Sequence, residues 1–185
     1  MNRPYLALSP GNVYYLDGDN PQPPDWHRIH VALARVPRFH GYSRLSVLHH
    51  AFAVRWFLAE QGCDVATVRL GFLHDHHEAL VGDLPYPMKA PLGPAWEAIE
   101  KPAERYIRRW FDFSGADVAA VKAADVGFCY AEAIREGVAN YEDEWLNGFD
   151  RSDYARYEPH MDAAAAHVTA ALLREADRIV ARELA

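Results

Sequence analysis

The strongest constraint on the fold is that apolar residues recur at helical spacing along most of the 185-residue chain. Val47, Ala51 and Val54 lie three or four residues apart, so a helix would place them on one face. Capping residues such as Asp25 and Asp64 come just before such runs. The pattern predicts helices over about 26–36, 46–61, 65–81, 94–113, 118–135 and 159–183.

Prolines and glycines predict where this helical pattern is interrupted. Residues 1–24 are expected to be irregular, with a short strand or hairpin at Val13–Leu16. The prolines at 85, 87 and 91 indicate a loop, and Pro102 predicts a kink or break inside its helix. The aromatic and acidic stretch 138–157 is expected to be a loop region. Because no repeat or linker divides the chain, we expect one all-α domain over residues 1–185.

Composition and charge exclude several classes of partner. Half of the residues are apolar, the net charge is -7 and the isoelectric point is about 5.8. This acidity argues against a broad basic surface for nucleic acid or anionic membrane. The apolar runs are too short to span a membrane, and Cys63 and Cys129 form no CxxC motif. The sequence therefore predicts a cytoplasmic protein with reduced thiols that binds neither nucleic acid nor membrane.

Histidines and acids are concentrated in one part of the sequence. Six of the ten histidines lie between residues 40 and 77, and "FLHDHHEALVGDLP" covers residues 72–85. Imidazole and carboxylate groups are common ligands of transition metals. Adjacent side chains on an ideal helix point about 100° apart, so His74 and Asp75 could share an ion only if another helix closed the site. His50, on the preceding predicted helix, is the natural third ligand.

Asp125 is the best candidate for a fourth ligand. It lies in the middle of the predicted 118–135 helix, within "VKAADVGFCYAEA", among alanines and aliphatic residues. Burying an isolated carboxylate is costly unless it is paired or bound to a metal. The alternative is that Asp125 faces solvent on an amphipathic helix, and spacing alone does not decide between the two.

The order of these four residues resembles the H…HD…D metal-binding motif of the HD-domain phosphohydrolase superfamily, with His50, then His74–Asp75, then Asp125. The segment "LHDHHEALVGDLPYPMK" resembles "LHDxxExxxGDxPxPxK" of the deoxynucleotidase branch and its phage-type relatives. "SVLHHA" resembles "SVAEHS", "VKAADVGFCYAEA" resembles a "VKxAD" helix, and "HVALARVPRFHG" resembles the phage-type "AHALSRxxRFxGH". The agreement extends from about residue 9 to residue 137.

This resemblance implies an HD-domain helical bundle that hydrolyses deoxynucleotides with a divalent transition metal. Manganese, cobalt, iron and zinc all fit, and a second divalent ion could accompany the substrate phosphates. The substrate would be a deoxynucleoside monophosphate, as in the 5'-deoxynucleotidase branch, or a triphosphate such as dATP, as in the phage-type branch. The resemblance also implies a homo-oligomer in a bacterium or a phage-infected host cell. The alternatives are a phosphodiesterase of cyclic nucleotides or alarmones, and a non-catalytic nucleotide-binding protein.

The resemblance also assigns a role to seven further residues. Glu78 and Asp83 would be the catalytic carboxylates, and a helix continued from His74 would place Glu78 on the same face as that ligand. The remaining five would bind substrate: Arg38, Lys89 and Lys122 at the phosphates, Phe39 stacked on base or sugar, and Pro87 as a wall of the base pocket. Surface acids, solvated lysines and ordinary packing are the alternatives for these residues.

Three more histidines in the cluster, His49, His76 and His77, are not expected to be primary ligands. His49 stands where the family motif usually has an acid or an amide. A second metal, a hydrogen bond to a ligand or surface exposure would each fit these residues.

Overall fold

The computed structural model describes residues 3–167 and 169–185, and this part of the chain is predominantly helical with one β-hairpin. The strands are β1 (Tyr5–Ser9) and β2 (Asn12–Tyr15). The helices are α1 (Trp26–Leu33), α2 (Val47–Glu60), α3 (Val65–Leu73), α4 (Glu78–Val81), α5 (Tyr86–Leu92), α6 (Pro94–Arg108), α7 (Val118–Arg135), α8 (Arg151–Ala166) and α9 (Thr169–Glu183). Short 3-10 turns cover Arg38–Gly41 and Glu144–Leu146. The prediction of an all-α fold with a minor N-terminal hairpin is confirmed.

Local capping explains where several helices begin. The side chains of Asp25, Asp64 and Asp117 each accept a hydrogen bond from the backbone N–H three residues further on, at the starts of α1, α3 and α7. Such bonds satisfy N–H groups that have no partner inside the helix. The predicted starts of these three helices are therefore confirmed.

α2 is the central helix of the described structure and is buried on most of its surface. On one side Phe52 contacts Phe72 of α3, with ring centroids 5.1 Å apart, in a core that also includes residues of α1 and α9. On the other side Phe57 packs edge-on against Phe128 of α7, at 5.6 Å, and stacks on Tyr157 of α8. This packing fixes α2, α3 and α7 against one another. Within the part of the chain that the structure describes, none of the helices combines the length and hydropathy needed to cross a bilayer.

Several predicted boundaries in the middle of the chain are wrong. The helix expected over 65–81 ends at Leu73. There the chain tightens through hydrogen bonds between residues three apart, from His76 N–H to the Leu73 carbonyl and from Glu78 N–H to the Asp75 carbonyl. The predicted proline-rich loop contains α5, with Pro87 in its first turn, where proline is tolerated, and Pro91 near its end. Helix α6 continues through Pro102 without a break and ends at Arg108 rather than at residue 113.

The C-terminal third also differs from the prediction. The loop expected over 138–157 ends earlier, because Asp150 caps α8 by accepting hydrogen bonds from the N–H groups of Ser152 and Asp153. The single helix expected over 159–183 is two helices, since His167 adopts an extended conformation and ends α8. α9 then folds back against α1.

A shared carboxylate joins α1 to α9. The Nδ1 atoms of His27 and His30 lie 2.8 Å and 2.6 Å from the two carboxylate oxygens of Asp177. Burial lowers the pKa of His30, although Asp177 opposes this shift. The contact therefore gives a buried imidazole a hydrogen-bond acceptor and holds the C-terminal helix in place.

The crossing of α7 and α8 requires a glycine at position 127. A methyl group at Gly127 would overlap the ring of Tyr157. We therefore expect Gly127→Ala to destabilise the fold by about 1–3 kcal/mol, the usual cost of overpacking. Thermal unfolding followed by circular dichroism measures the loss. In a Tyr157→Leu background the same change should cost less, and an equal cost in both backgrounds would contradict this explanation.

Candidate metal centre

The structure brings His50, His74, Asp75 and Asp125 together. His50 comes from α2, His74 and Asp75 lie where α3 ends, and Asp125 comes from the middle of α7. Each of the four side chains offers one nitrogen or oxygen atom, and these four atoms all lie within 4.8 Å of one another. The residues that the sequence analysis grouped from distant positions therefore form one cluster.

The spacing of these atoms fits a metal ion. His74 Nε2 lies 3.4 Å from His50 Nε2, 3.1 Å from Asp75 Oδ2 and 3.6 Å from Asp125 Oδ1. His50 Nε2 lies 3.4 Å from Asp125 Oδ1. Ligand atoms bound at about 2.0–2.2 Å to a tetrahedral ion are about 3.4 Å apart. The donor set of two imidazoles and two carboxylates suits a divalent transition metal.

Hydrogen bonds on the far side of each imidazole orient the two histidines. His50 Nδ1 lies 2.9 Å from Glu132 Oε1, and His74 Nδ1 lies 2.7 Å from the Gly71 carbonyl oxygen. Because both partners are acceptors, both Nδ1 atoms carry the proton. The Nε2 atoms of the neutral rings then direct lone pairs at each other and at two carboxylates. Such an arrangement of acceptors requires positive charge between them, either as a proton on an imidazole or as a cation.

The pKa shifts of the clustered residues agree with a need for positive charge between them. Burial lowers the pKa of His74, but the neighbouring Asp75 and Asp125 carboxylates outweigh burial and raise it well above its usual range. For Asp125, burial raises the pKa, but hydrogen bonds with His50 and His74 hold it well below its usual range. The cluster therefore favours positive charge, whether as protons or as a metal ion.

Asp125 does not lie on a solvent-facing side of its helix. Its side chain is 19% exposed and points into the cluster. Lys122, one turn earlier on α7, donates a hydrogen bond from Nζ to Asp125 Oδ2 at 2.8 Å and is itself 71% exposed. The alternative interpretation of Asp125 is therefore excluded, and Lys122 lies beside the cluster at the surface.

The two predicted catalytic acids lie close to the cluster. Glu78 begins α4 and is buried, and its Oε2 atom has no hydrogen-bond partner among the described residues. Burial, reinforced by the charges of Asp75 and Asp83, raises the pKa of Glu78 well above its usual range. Burial also raises the pKa of Asp83, although Arg38 opposes the shift. The expected continuous helix from His74 to Glu78 is wrong, yet the turn still keeps Glu78 beside the ligands.

Arg38 is a buried guanidinium among these acids. Its Nε atom donates to Glu132 Oε2 at 3.0 Å, and its Nη1 atom lies 3.5 Å from Asp83 Oδ2 and 4.0 Å from Asp75 Oδ2. The following residue, Phe39, has a φ of 50°, which is uncommon for a residue other than glycine. The hydrogen bond with Glu132 and the nearby Asp83 carboxylate hold the guanidinium in the site.

The other predicted substrate contacts, Phe39, Lys89 and Pro87, have different surroundings in the structure. Phe39 packs against the core cluster around Phe57, and the Arg38 Cζ atom lies 5.6 Å from its ring centroid. The Lys89 ammonium forms an ion pair with Glu100 of α6. Pro87 is exposed on α5. Among the described residues, no hydrogen bond or ion pair joins the Lys89 ammonium to the four metal-ligand candidates.

Comparisons with known proteins do not identify a family. No protein-family model matches the chain, and no curated protein matches it. The functional argument therefore depends on the residues of the site.

The other histidines of the sequence cluster lie outside the site. His49 accepts a hydrogen bond from the backbone N–H of Ser46 at 3.2 Å and so helps to cap α2. His76 is fully buried, with its ring 4.8 Å from that of Phe72, and its ring nitrogens have no hydrogen-bond partner in the part of the chain that is described. His77 Nδ1 lies 3.1 Å from the His74 carbonyl oxygen. None of the three belongs to the group of four ligand atoms.

Glu132 is the residue that the sequence analysis missed. Its side chain is fully buried and contacts both His50 and Arg38. It lies seven residues after Asp125, which corresponds to two turns on the same face of α7. That spacing from a candidate ligand is the signal that could have identified it.

Proposed function

We propose that the chain is a metal-dependent phosphohydrolase of the HD-domain superfamily that acts on deoxynucleotides. One observation carries the proposal: two imidazoles with oriented Nε2 atoms and two carboxylates converge within 4.8 Å. The sequence resemblance to HD-domain enzymes points to the same four residues. His50, His74, Asp75 and Asp125 would hold the ion.

The chemistry that a bound divalent ion supplies at such a site is Lewis-acid polarisation of a phosphoryl oxygen. Glu78 would accept a proton from the attacking water, since its Oε2 atom is buried and has no hydrogen-bond partner in the described part of the chain. Asp83, 3.5 Å from Arg38 Nη1, would be the second catalytic carboxylate, on the side of the leaving group. A site that only stores a metal would not need a buried acid with an unpaired oxygen, which argues against the non-catalytic alternative.

Arg38 would bind phosphate oxygens of the substrate. Its Nη1 atom lies between Asp83 and Asp75, on the side of the guanidinium that Glu132 does not occupy. Lys122, exposed next to Asp125, could reach a longer phosphate chain. Lys89 would have to break its ion pair with Glu100 in order to bind phosphate. These lysines tilt the proposal toward a deoxynucleoside triphosphate, with Phe39 and Pro87 at the base or sugar. A second divalent ion, bound with the phosphates, and a homo-oligomer stay predictions of the resemblance.

Product identification tests the proposed function directly. Protein loaded with Mn²⁺, Co²⁺ or Zn²⁺ would be incubated with mono-, di- and triphosphates of all deoxynucleosides and ribonucleosides, and the products separated by chromatography. We expect release of triphosphate from a deoxynucleoside triphosphate, or of phosphate from a monophosphate. Absence of turnover with every substrate and metal would contradict the proposal.

Arg38→Lys tests the phosphate-binding role. Lysine keeps the charge but loses the planar fork that contacts two oxygens at once. We expect kcat/KM to fall about 10–100-fold, mainly through KM, because charge-assisted hydrogen bonds are worth about 1.5–3 kcal/mol each. Steady-state kinetics at saturating metal measures the change. Arg44→Lys, at an arginine whose side chain is 97% exposed, is the matched control, and an equal effect of both substitutions would refute the role of Arg38.

A further inference from the structure

Glu132 is a fully buried acid that the proposed reaction does not itself use. One carboxylate oxygen lies 2.9 Å from His50 Nδ1, and the other accepts a hydrogen bond from Arg38 Nε at 3.0 Å. A buried carboxylate is costly unless both of its oxygens are compensated. Here one side chain of α7 contacts a candidate metal ligand and the candidate phosphate-binding group.

The chemistry of the carboxylate fixes both neighbours. Because an ionised carboxylate only accepts hydrogen bonds, it requires the proton of His50 on Nδ1 and leaves the lone pair of Nε2 for the cluster. The same carboxylate occupies the Nε–H of Arg38 and so directs the Nη1 atom toward Asp83, 3.5 Å away. Without Glu132, the proton of His50 would no longer be held on Nδ1, and the Arg38 guanidinium would no longer be held in its orientation.

We propose that Glu132 is a positioning residue that orients the metal ligand His50 and the phosphate-binding Arg38 at the same time. The statement about His50 concerns the metal centre alone, whereas the statement about Arg38 rests on the proposed function. An alternative role is neutralisation of the Arg38 charge, without any effect on the geometry of His50. The two roles differ in what they predict for substitutions at this position.

Two substitutions separate these roles. In Glu132→Gln the amide keeps one acceptor oxygen, so it can serve only one of its two donor neighbours. In Glu132→Asp the charge stays, but the shorter side chain withdraws the oxygens from both partners. Positioning predicts that both variants bind metal more weakly, whereas charge neutralisation predicts that Glu132→Asp keeps the affinity of the unmodified protein. Glu142→Gln, at an exposed glutamate, is the control for loss of one negative charge.

The deciding measurement is titration of metal-free protein with MnCl₂ by calorimetry, together with the visible absorption spectrum of the Co²⁺-loaded protein. We expect the Mn²⁺ affinity of Glu132→Gln and Glu132→Asp to fall about 10–100-fold, as is typical when a hydrogen-bond partner of a metal ligand is removed, with an altered Co²⁺ spectrum. Unchanged affinity and spectrum in a folded variant, verified by circular dichroism, would overturn the proposal.

A second measurement addresses Arg38. Binding of inorganic phosphate to Mn²⁺-saturated protein should weaken in Glu132→Gln and in Arg38→Lys, and the double variant should lose little more than either single variant. Fully additive losses would overturn the link between Glu132 and Arg38. If no nucleotide is hydrolysed by the unmodified protein, the proposed function fails, yet the Mn²⁺ titration still decides whether Glu132 orients His50.

Discussion

Asp125→Ala is expected to leave the protein folded but unable to retain a divalent metal. The substitution removes one of four converging ligand atoms, whereas His50, His74 and Asp75 come from other elements and stay in place. Loss of a direct ligand should exceed the roughly 10–100-fold effect of losing an outer hydrogen-bond partner, so we expect Mn²⁺ affinity to fall more than about 100-fold. Turnover should disappear with the metal.

Elemental analysis after gel filtration, combined with calorimetric titration of the metal-free protein, measures this loss. Asp162→Ala is a matched control, because Asp162 is a 61% exposed acid on α8 that pairs with Arg135 outside the cluster. The control should retain its metal. Full retention of metal by Asp125→Ala would remove Asp125 from the ligand set and leave only three candidate ligands.

The parts of the fold that could be predicted from the sequence are those governed by neighbouring residues. Helix starts at Asp25, Asp64 and Asp117 depend on a side chain and an N–H group three residues away, so the local sequence contains the whole interaction. The convergence of His50, His74–Asp75 and Asp125 is not local. It could be anticipated because the order of the residues resembles a known motif and because carboxylates in apolar helices need a partner.

The misplaced boundaries lie where the spacing of apolar residues does not determine the path of the backbone. The turn after Leu73 interrupts a run whose apolar spacing would equally suit a continuous helix. The prolines of α5 are typical of a loop, so this helix was not predicted. The aromatic and acidic residues around Asp150 likewise favoured a loop where α8 begins. The cap at Asp150 is a local interaction, so its signal is present in the sequence, whereas the turn after Leu73 and the path of α5 are not determined by the apolar spacing.

Ion pairs in the site are also difficult to predict from the sequence. Lysines and glutamates in a sequence give no indication of which partners they will meet, so the ion pair of Lys89 with Glu100 could not be foreseen. Glu132 is one of many acids in the second half of the chain, and its spacing of seven residues from Asp125 does not indicate that it lies buried between His50 and Arg38. Sequence reasoning could identify the residues that bind a metal more readily than those that hold these ligands in position.

Glu78→Gln is expected to separate metal binding from catalysis. Glutamine has nearly the same size, and Glu78 is not among the four converging ligands, so metal affinity should change little. A neutral amide cannot accept a proton from water, so kcat should fall about 10²–10⁴-fold, the usual contribution of a general base. Calorimetric titration with Mn²⁺ and steady-state kinetics on the same preparation measure the two properties separately.

The pH dependence of the same pair of proteins gives an independent check. Burial and the charges of Asp75 and Asp83 raise the pKa of Glu78 well above its usual range, and a general base acts only when it is ionised. At saturating metal, activity of the unmodified protein should therefore fall as the pH decreases through this raised pKa, and the residual activity of Glu78→Gln should lack that decrease. An unchanged rate or an unchanged pH profile in Glu78→Gln would assign the base to another group, and Asp83, which is also buried with a raised pKa, would be the next acid to replace.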